Sequence, residues 1–393
     1  MIKNQIRILK KKFNKLGIDG YLVPKNDEFF TEYAENDRLK FISNFDGSAG
    51  LAIILKRNNF LFVDGRYTLQ ATNQSGGEFK IIETGINFPK KIFENLSLGF
   101  DPKLFTKDQL NRYFNNKTRL LPINNNLVDE LKKFKQIKKK PFFSLPDNVV
   151  GESSSSKIKK ITNFLNSNKS DFLFISAPEN VAWLLNIRGH DSPHSPIPNC
   201  RLIIDKRGNL FFICEKAKSK KIIKQKKINR NQLIEPNNFK KLINKLKMKY
   251  FIIDKKTCSY FHEAIIRSKF KVLNKEDPCY YLKSIKNFTE INNMAKAHLN
   301  DGLALTKFIY WLKIENKKKV TEIDAQKKLE YFRKLNKDYL FPSFNTIAGT
   351  ASNGAIVHYR ATKKTNKLIK KNDIFLCDSG GQYKYGTTDV TRT

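Results

Sequence analysis

Residues 374–393 read Ile374-Phe375-Leu376-Cys377-Asp378-Ser379-Gly380-Gly381-Gln382-Tyr383, then Lys384-Tyr385-Gly386-Thr387-Thr388-Asp389-Val390-Thr391-Arg392-Thr393. Asp378 closes an apolar run, and Asp389 lies among β-branched residues, Thr387-Thr388 and Val390-Thr391. Between them Gly380 to Gly386 is rich in turn formers, so a reversal near Tyr383-Lys384 makes the two runs antiparallel neighbours. That reversal sets Asp378 opposite Asp389, and directly opposed residues have Cβ atoms about 4.5–5.5 Å apart. Two ionised carboxylates so close on a half-buried sheet repel each other and lose hydration. A cation between them removes both penalties, and two divalent metals about 3.5–4 Å apart can share one bridging carboxylate. Oxygen ligands favour hard cations such as manganese or magnesium. The plainer alternative is that the two aspartates cap a turn or end exposed strands, and spacing alone leaves both readings open.

Upstream of this hairpin the chain reads as β-rich from Phe341 to Thr350, and again over Gly354-Ala355-Ile356-Val357-His358-Tyr359. His358 sits at the end of that apolar strand. A histidine there is ordinarily a core or rim residue, and it becomes a catalytic candidate only if its strand approaches the aspartate pair. Two helices come earlier. Thr289 to Ile314 is apolar-periodic, with Met294, Ala297, Leu303, Leu305, Phe308 and Trp311, and with Thr289 or Asn287 to cap it. Thr321 to about Leu335 opens with Thr321 and Asp324 in a capping arrangement, Asp replacing the usual Glu.

Further back an internal repeat appears. A helix with Ile6, Leu9, Phe13 and Leu16 on one face precedes the strand Tyr21-Leu22-Val23-Pro24. An apolar pair follows, Leu51 to Leu55 and Phe60 to Val63, joined by a short polar turn. About 150 residues later the pattern returns: a helix around Ile158 to Leu165, the strand Phe172 to Ile175, and the pair Leu202 to Ile204 and Leu210 to Ile213. Two similar α/β domains are the simplest account. The loop-like composition of Pro141 to Ser156 separates them, and the second ends near Pro278. The expected division is 1–146, 147–280 and 281–393.

Composition narrows the functional classes. The formal net charge is +37, from 74 Lys+Arg against 37 Asp+Glu. The lysines sit with abundant Asn and Ile in runs such as Lys138-Lys139-Lys140 and Lys317-Lys318-Lys319, as on a solvated surface. No compact basic motif with interleaved aromatics supports specific nucleic-acid binding. The five cysteines are scattered, with no C-x-x-C, and read as buried free thiols. No stretch reaches the roughly 18 apolar residues of a membrane span. Met1 to Gly17 lacks the apolar core of a secretory leader, so the cytoplasm is the expected compartment.

The motifs together resemble a known family. Asn353 to Tyr359, Asp378 to Tyr383 and Gly386 to Thr393 are similar to the catalytic-domain signature of Xaa-Pro aminopeptidases, which belong to the pita-bread metallopeptidases. Phe45-Asp46-Gly47-Ser48-Ala49-Gly50 and Val63-Asp64-Gly65-Arg66-Tyr67 resemble a first creatinase-type N-terminal domain. Ala182-Trp183-Leu184-Leu185-Asn186-Ile187-Arg188-Gly189 resembles a second. The resemblance is to the cytosolic, three-domain form. It implies two creatinase-type α/β domains followed by the start of a pita-bread α+β domain.

The activity it implies is release of the first residue from peptides with proline second, with two divalent metal ions, Mn2+ being the expectation. Asp378 would ligate one metal through both oxygens, Asp389 would bridge the two, and His358 would contact the substrate at the scissile bond. The family's site adds a His and two Glu after the second Asp. Because the sequence ends at Thr393, a truncated chain with little or no activity is expected, with a homodimer for the full-length form. His190, His194, His262 and His298 lie outside the motif and are not assigned to it. Arg66, Arg188 and Asp191 are read as loop-packing or ion-pairing residues. A non-catalytic interaction protein of the same fold, a prolidase-like dipeptidase and a creatinase-type amidinohydrolase are the alternatives.

Overall fold

The computed structural model describes every residue except 1, 32, 35, 86–87, 133–139 and 316–318. Lys138, Lys139, Lys317 and Lys318 of the lysine runs therefore lie outside the described residues. The chain forms two compact units. The larger comprises Met1–Ser144, Ser155–Gly189 and Ile197–Lys283; the smaller comprises Leu145–Ser154, His190–Pro196 and Ser284–Thr393.

The larger unit holds two six-stranded sheets of identical topology. The first runs Lys80–Glu83, Asn59–Val63, Leu51–Leu55, Gly20–Pro24, Ser97–Phe100, Arg119–Pro122. The second runs Leu233–Ile234, Leu210–Ile213, Arg201–Asp205, Phe172–Ile175, Tyr250–Ile253, Lys271–Asn274. In each, the three middle-left strands are linked antiparallel and the outer pairings are parallel. Strands Gly20–Pro24, Phe172–Ile175 and Arg201–Asp205 are buried throughout, which is why Tyr21 to Pro24, Phe172 to Ile175 and Leu202 to Ile204 read as apolar runs.

The duplication reaches single side chains. Asp19 precedes its strand, accepts the Ser97 amide at 3.0 Å and pairs with Lys56 Nζ at 3.0 Å. Asp171 does the same in the second sheet, with the Tyr250 amide at 2.9 Å and Lys206 Nζ at 2.9 Å. The expected first helix is interrupted. It forms Ile2–Lys10 and Phe13–Leu16, the latter ended by Gly17 at φ +62°. All five cysteines are buried, and none is in a disulfide.

In the smaller unit, Phe288–Glu315 and Glu322–Lys334 are the two main helices. Asn287, not Thr289, caps the first: its Oδ1 accepts the Glu290 amide at 2.9 Å, and Glu290 accepts the Asn287 amide at 3.0 Å. Thr321 and Asp324 form the expected reciprocal box on the second. Leu305, Phe308, Ala325 and Leu329 form a core with Cys377. Two three-stranded sheets complete the unit. One orders Tyr339–Pro342, Gly381–Tyr383, Gly386–Thr387; the other orders Ile347–Thr350, Phe375–Ser379, Val390–Arg392. Among the described residues, no helix is long and apolar enough to cross a membrane.

Candidate metal centre

Strand Phe375–Ser379 runs antiparallel to Val390–Arg392, so residues 374–393 do form a hairpin, with its tip at Lys384-Tyr385. The register differs from the expected one. Asp378 lies opposite Thr391, not Asp389, and Thr391 Oγ1 donates to Asp378 Oδ1 at 2.8 Å. The reason is the turn, which centres one residue later than the sequence suggested. Each such step moves the cross-strand partner by two. A shift of two preserves the face, so Asp378 and Asp389 are diagonal neighbours on one side of the hairpin rather than directly opposed.

Burial bears this out. Cys377, Ser379 and Thr388 turn inward and are buried, leaving Asp378 half-buried and Asp389 exposed on the other side. Thr388 fixes the crossover between them. Its Oγ1 accepts the Gly381 amide at 2.9 Å, and its own amide donates to Gly381 O at 2.9 Å. Gly380 must be glycine at this point, because a Cβ there would meet Thr388 O at 2.0 Å and Ser343 Oγ at 2.2 Å. Asp389 senses its neighbour: desolvation first, and then the Asp378 charge, push its carboxyl above the ordinary range.

His358 is not at the end of a strand. Residues Ala351–Ala355 form a 3-10 helix, and His358 lies exposed in the turn that follows, at φ +55°. Side-chain hydrogen bonds outweigh the β-propensity of Ile356 and Val357. Asn353 Nδ2 donates to the buried Glu322 carboxylate at 3.0 and 3.1 Å, and the Tyr359 hydroxyl donates to it at 2.9 Å, which curls the segment inward. The strand Ile347–Thr350 that leads into this turn pairs with the strand of Asp378, Ile347 opposite Asp378. Sequence reading missed Glu322, and it took Asn353 and Tyr359 only as ends of a signature, without a role of their own. The one available signal was the charge of Glu322 at the start of an amphipathic helix, which ordinarily marks a solvated first turn.

Arg333 and Asp301 were missed too. They form a buried ion pair, and Arg333 also donates to Ser379 Oγ at 3.0 Å, directly beside Asp378. Of the unassigned histidines, His194 belongs to the smaller unit, with its Nδ1 3.1 Å from Pro342 O, and its carbonyl accepts from Gln382 Nε2 at 3.0 Å. His262 is buried in the larger unit. Arg66 pairs with Asp64 through two contacts of 2.9 and 2.8 Å, as a loop-packing residue does.

Two carboxylates on one face, the charge of Asp378 raising the cost of ionising Asp389, fit a divalent cation. They supply hard oxygen ligands, and among the described residues no group of three or more His, Cys, Asp and Glu converges with metal-binding geometry. The pair therefore fits as a part of a ligand set.

Comparison with known proteins places these features. Residues 5–131 and 133–290 each match a Creatinase/Prolidase N-terminal domain family, and residues 292–393 match metallopeptidase family M24. The chain is 32% identical to Xaa-Pro aminopeptidase ApepP of Drosophila melanogaster, covering 96% of this chain and 65% of the relative. It is 31% identical to Xaa-Pro aminopeptidase 1 of Dictyostelium discoideum, covering 100% and 67%. Its fold is similar to that of the X-prolyl aminopeptidase of Caenorhabditis elegans, described as a cytosolic enzyme with a di-nuclear active site. That match has a TM-score of 0.90 and 27% identity, and covers 100% of this chain and 69% of the other. The chain thus spans about two thirds of the length of these relatives.

Proposed function

Because this chain belongs to the Xaa-Pro aminopeptidase family, we propose that the protein removes the N-terminal residue from peptides whose second residue is proline. The observation that carries the reading is the placement of Asp378 and Asp389 on one face of the hairpin, close enough for one charge to raise the other's pKa. Asp378 and Asp389 would both hold the divalent metal, with Mn2+ as the ion. When bound, such a pair of ions polarises the scissile carbonyl and acidifies water. His358, exposed on its turn, is assigned the hydrogen bond to the substrate at the scissile bond. An Xaa-Pro amide carries no N–H and restricts the residue before it, so a dedicated site serves it better than a general aminopeptidase does.

The same reading divides the chain at 1–146, 147–280 and 281–393, supported by the three family matches. The cytosolic description of the Caenorhabditis elegans enzyme supports a cytoplasmic location. The homodimer implied by the resemblance belongs to the proposal as well. Since no third ligand joins the aspartates among the described residues, the 393 residues by themselves are assigned little or no activity.

The test compares the purified 393-residue chain with the longest reading frame that contains it, each supplied with Mn2+. The substrates are an Xaa-Pro-Xaa tripeptide and an Xaa-Pro dipeptide. The expected result is release of the first residue from the tripeptide by the longer protein only. Robust turnover by the 393-residue chain overturns the inactivity. Turnover of the dipeptide alone makes the protein a prolidase, and turnover of neither by the longer protein leaves a non-catalytic member of the family.

A further inference from the structure

Glu322 opens the second helix of the smaller unit, yet its side chain is completely buried. A buried carboxylate is costly unless donors meet its lone pairs. Here every donor is an uncharged amide or hydroxyl: Thr350 N at 2.9 Å, Asn353 Nδ2 at 3.0 and 3.1 Å, Tyr359 Oη at 2.9 Å and Lys367 N at 3.1 Å. The backbone reinforces them, with Glu322 N donating to Lys367 O at 3.0 Å and Ile323 N to Asn366 Oδ1 at 3.0 Å.

All these partners lie on one excursion of the chain, 350–367. Thr350 marks its start, Lys367 its end, and Asn353 and Tyr359 its interior. One carboxylate therefore closes the loop at both ends and grips its middle. The residue next to the grip is His358. Its φ of +55° is a left-handed conformation that a non-glycine residue seldom adopts. Such a conformation persists only where the surroundings over-determine it, and it points to function when it does. Tyr359 supplies that constraint. It is buried, its hydroxyl donates to Glu322, and it accepts from Asn353 Nδ2 at 2.8 Å.

We propose that Glu322 is a positioning residue for His358, its buried carboxylate fixing the 350–367 loop so that the imidazole is set in place before a peptide arrives. The inference rests on the role given to His358 above. A glutamine at 322 would keep one acceptor oxygen and set its NH2 either against the Thr350 and Asn353 amides, at the Oε1 position, or against the Lys367 amide, the Asn353 amide and the Tyr359 hydroxyl, at Oε2, so the loop would reset although the side chain has the same shape.

The experiment is a double-mutant cycle in the product of the longest reading frame that contains the chain, measuring kcat and KM on an Xaa-Pro-Xaa tripeptide for E322Q, Y359F, H358A and E322Q/H358A. Misplacing a reacting group by about 1 Å costs roughly 100-fold, so E322Q is expected to lower kcat by about that factor and Y359F by less. E322Q is expected to add nothing once His358 is gone, because it acts through that residue. A loss that multiplies with that of H358A, or an E322Q enzyme with normal kcat, overturns the proposal.

A second arm needs no activity. In the 393-residue chain with isotope-labelled histidine, the His358 imidazole signals, assigned by their loss in H358A, should shift in E322Q and Y359F while the other four histidines stay put. An unmoved His358 signal overturns the proposal. Should H358A leave turnover untouched, the reading of His358 as a substrate contact fails, and this arm still decides whether Glu322 positions it. If E322Q does not fold by circular dichroism, Y359F carries both arms.

Discussion

Arg333 holds Asp301 in a two-pronged ion pair, Nε to Oδ1 at 2.7 Å and a terminal nitrogen to Oδ2 at 3.0 Å, with both side chains buried. The Tyr383 hydroxyl donates to Asp301 Oδ1 at 2.9 Å, and Arg333 also reaches Ser379. Both main helices of the smaller unit are thereby tied to the two halves of the strand segment that carries Asp378. The pair lies behind the candidate metal centre and frames it from within.

The ion pair makes a first prediction. Breaking a buried pair strands one charge in a poor solvent, so Arg333→Ala should destabilise the smaller unit by about 3–5 kcal/mol. Replacing both partners with apolar side chains, R333M with D301L, should cost much less, since no charge is left unpaired. Urea denaturation followed by tyrosine and tryptophan fluorescence reads both. An equal loss in the single and double variants would mean that packing volume, not charge, sets the cost.

A second concerns pH and the larger unit. Desolvation pushes the Asp27 carboxyl up to about 6, against the pull of the Phe29 and Thr31 amides. A folded-state value above the unfolded one, about 3.9, favours the protonated form. Its contribution to stability is complete below about pH 4 and is lost as pH rises through 6. Asp27→Asn should therefore match wild type at pH 4 and be more stable, by about 1–3 kcal/mol, at pH 7. Both amide bonds go to Oδ1, at 2.9 and 3.1 Å, so an asparagine oxygen can keep them. Urea midpoints at pH 4 and pH 7 that differ by the same amount in the two proteins would refute this.

A third concerns the aspartate pair directly. Mn2+ added to the 393-residue chain should bind, read from the loss of the free-ion electron paramagnetic resonance signal. Asp378→Asn and Asp389→Asn should each weaken binding about tenfold or more. Binding should tighten as pH rises, because the Asp389 proton, held by desolvation and by the Asp378 charge, must leave first. An affinity untouched by either substitution would remove the pair from the metal centre.

Much of the architecture was legible in the residues. The repeat showed because each copy spells β-rich apolar runs around short polar turns, and Leu51–Leu55 with Asn59–Val63 and Arg201–Asp205 with Leu210–Ile213 pair as read. The Thr321 cap was equally plain, since its partner lies three residues away. The hairpin was recognisable from glycines and alternation, but its register was not. A turn centred one residue further along satisfies the same composition and moves the partner of Asp378 from Asp389 to Thr391.

Local patterns, then, determined the sheets, the helix caps and the family signature, because strand alternation and capping are short-range and written in adjacent residues. Only the folded chain decided that Glu322 is buried, that its partners come from Thr350 to Lys367, and that His358 sits in a strained turn instead of a strand. A carboxylate's surroundings depend on which distant donors packing brings to it, and no local pattern records that.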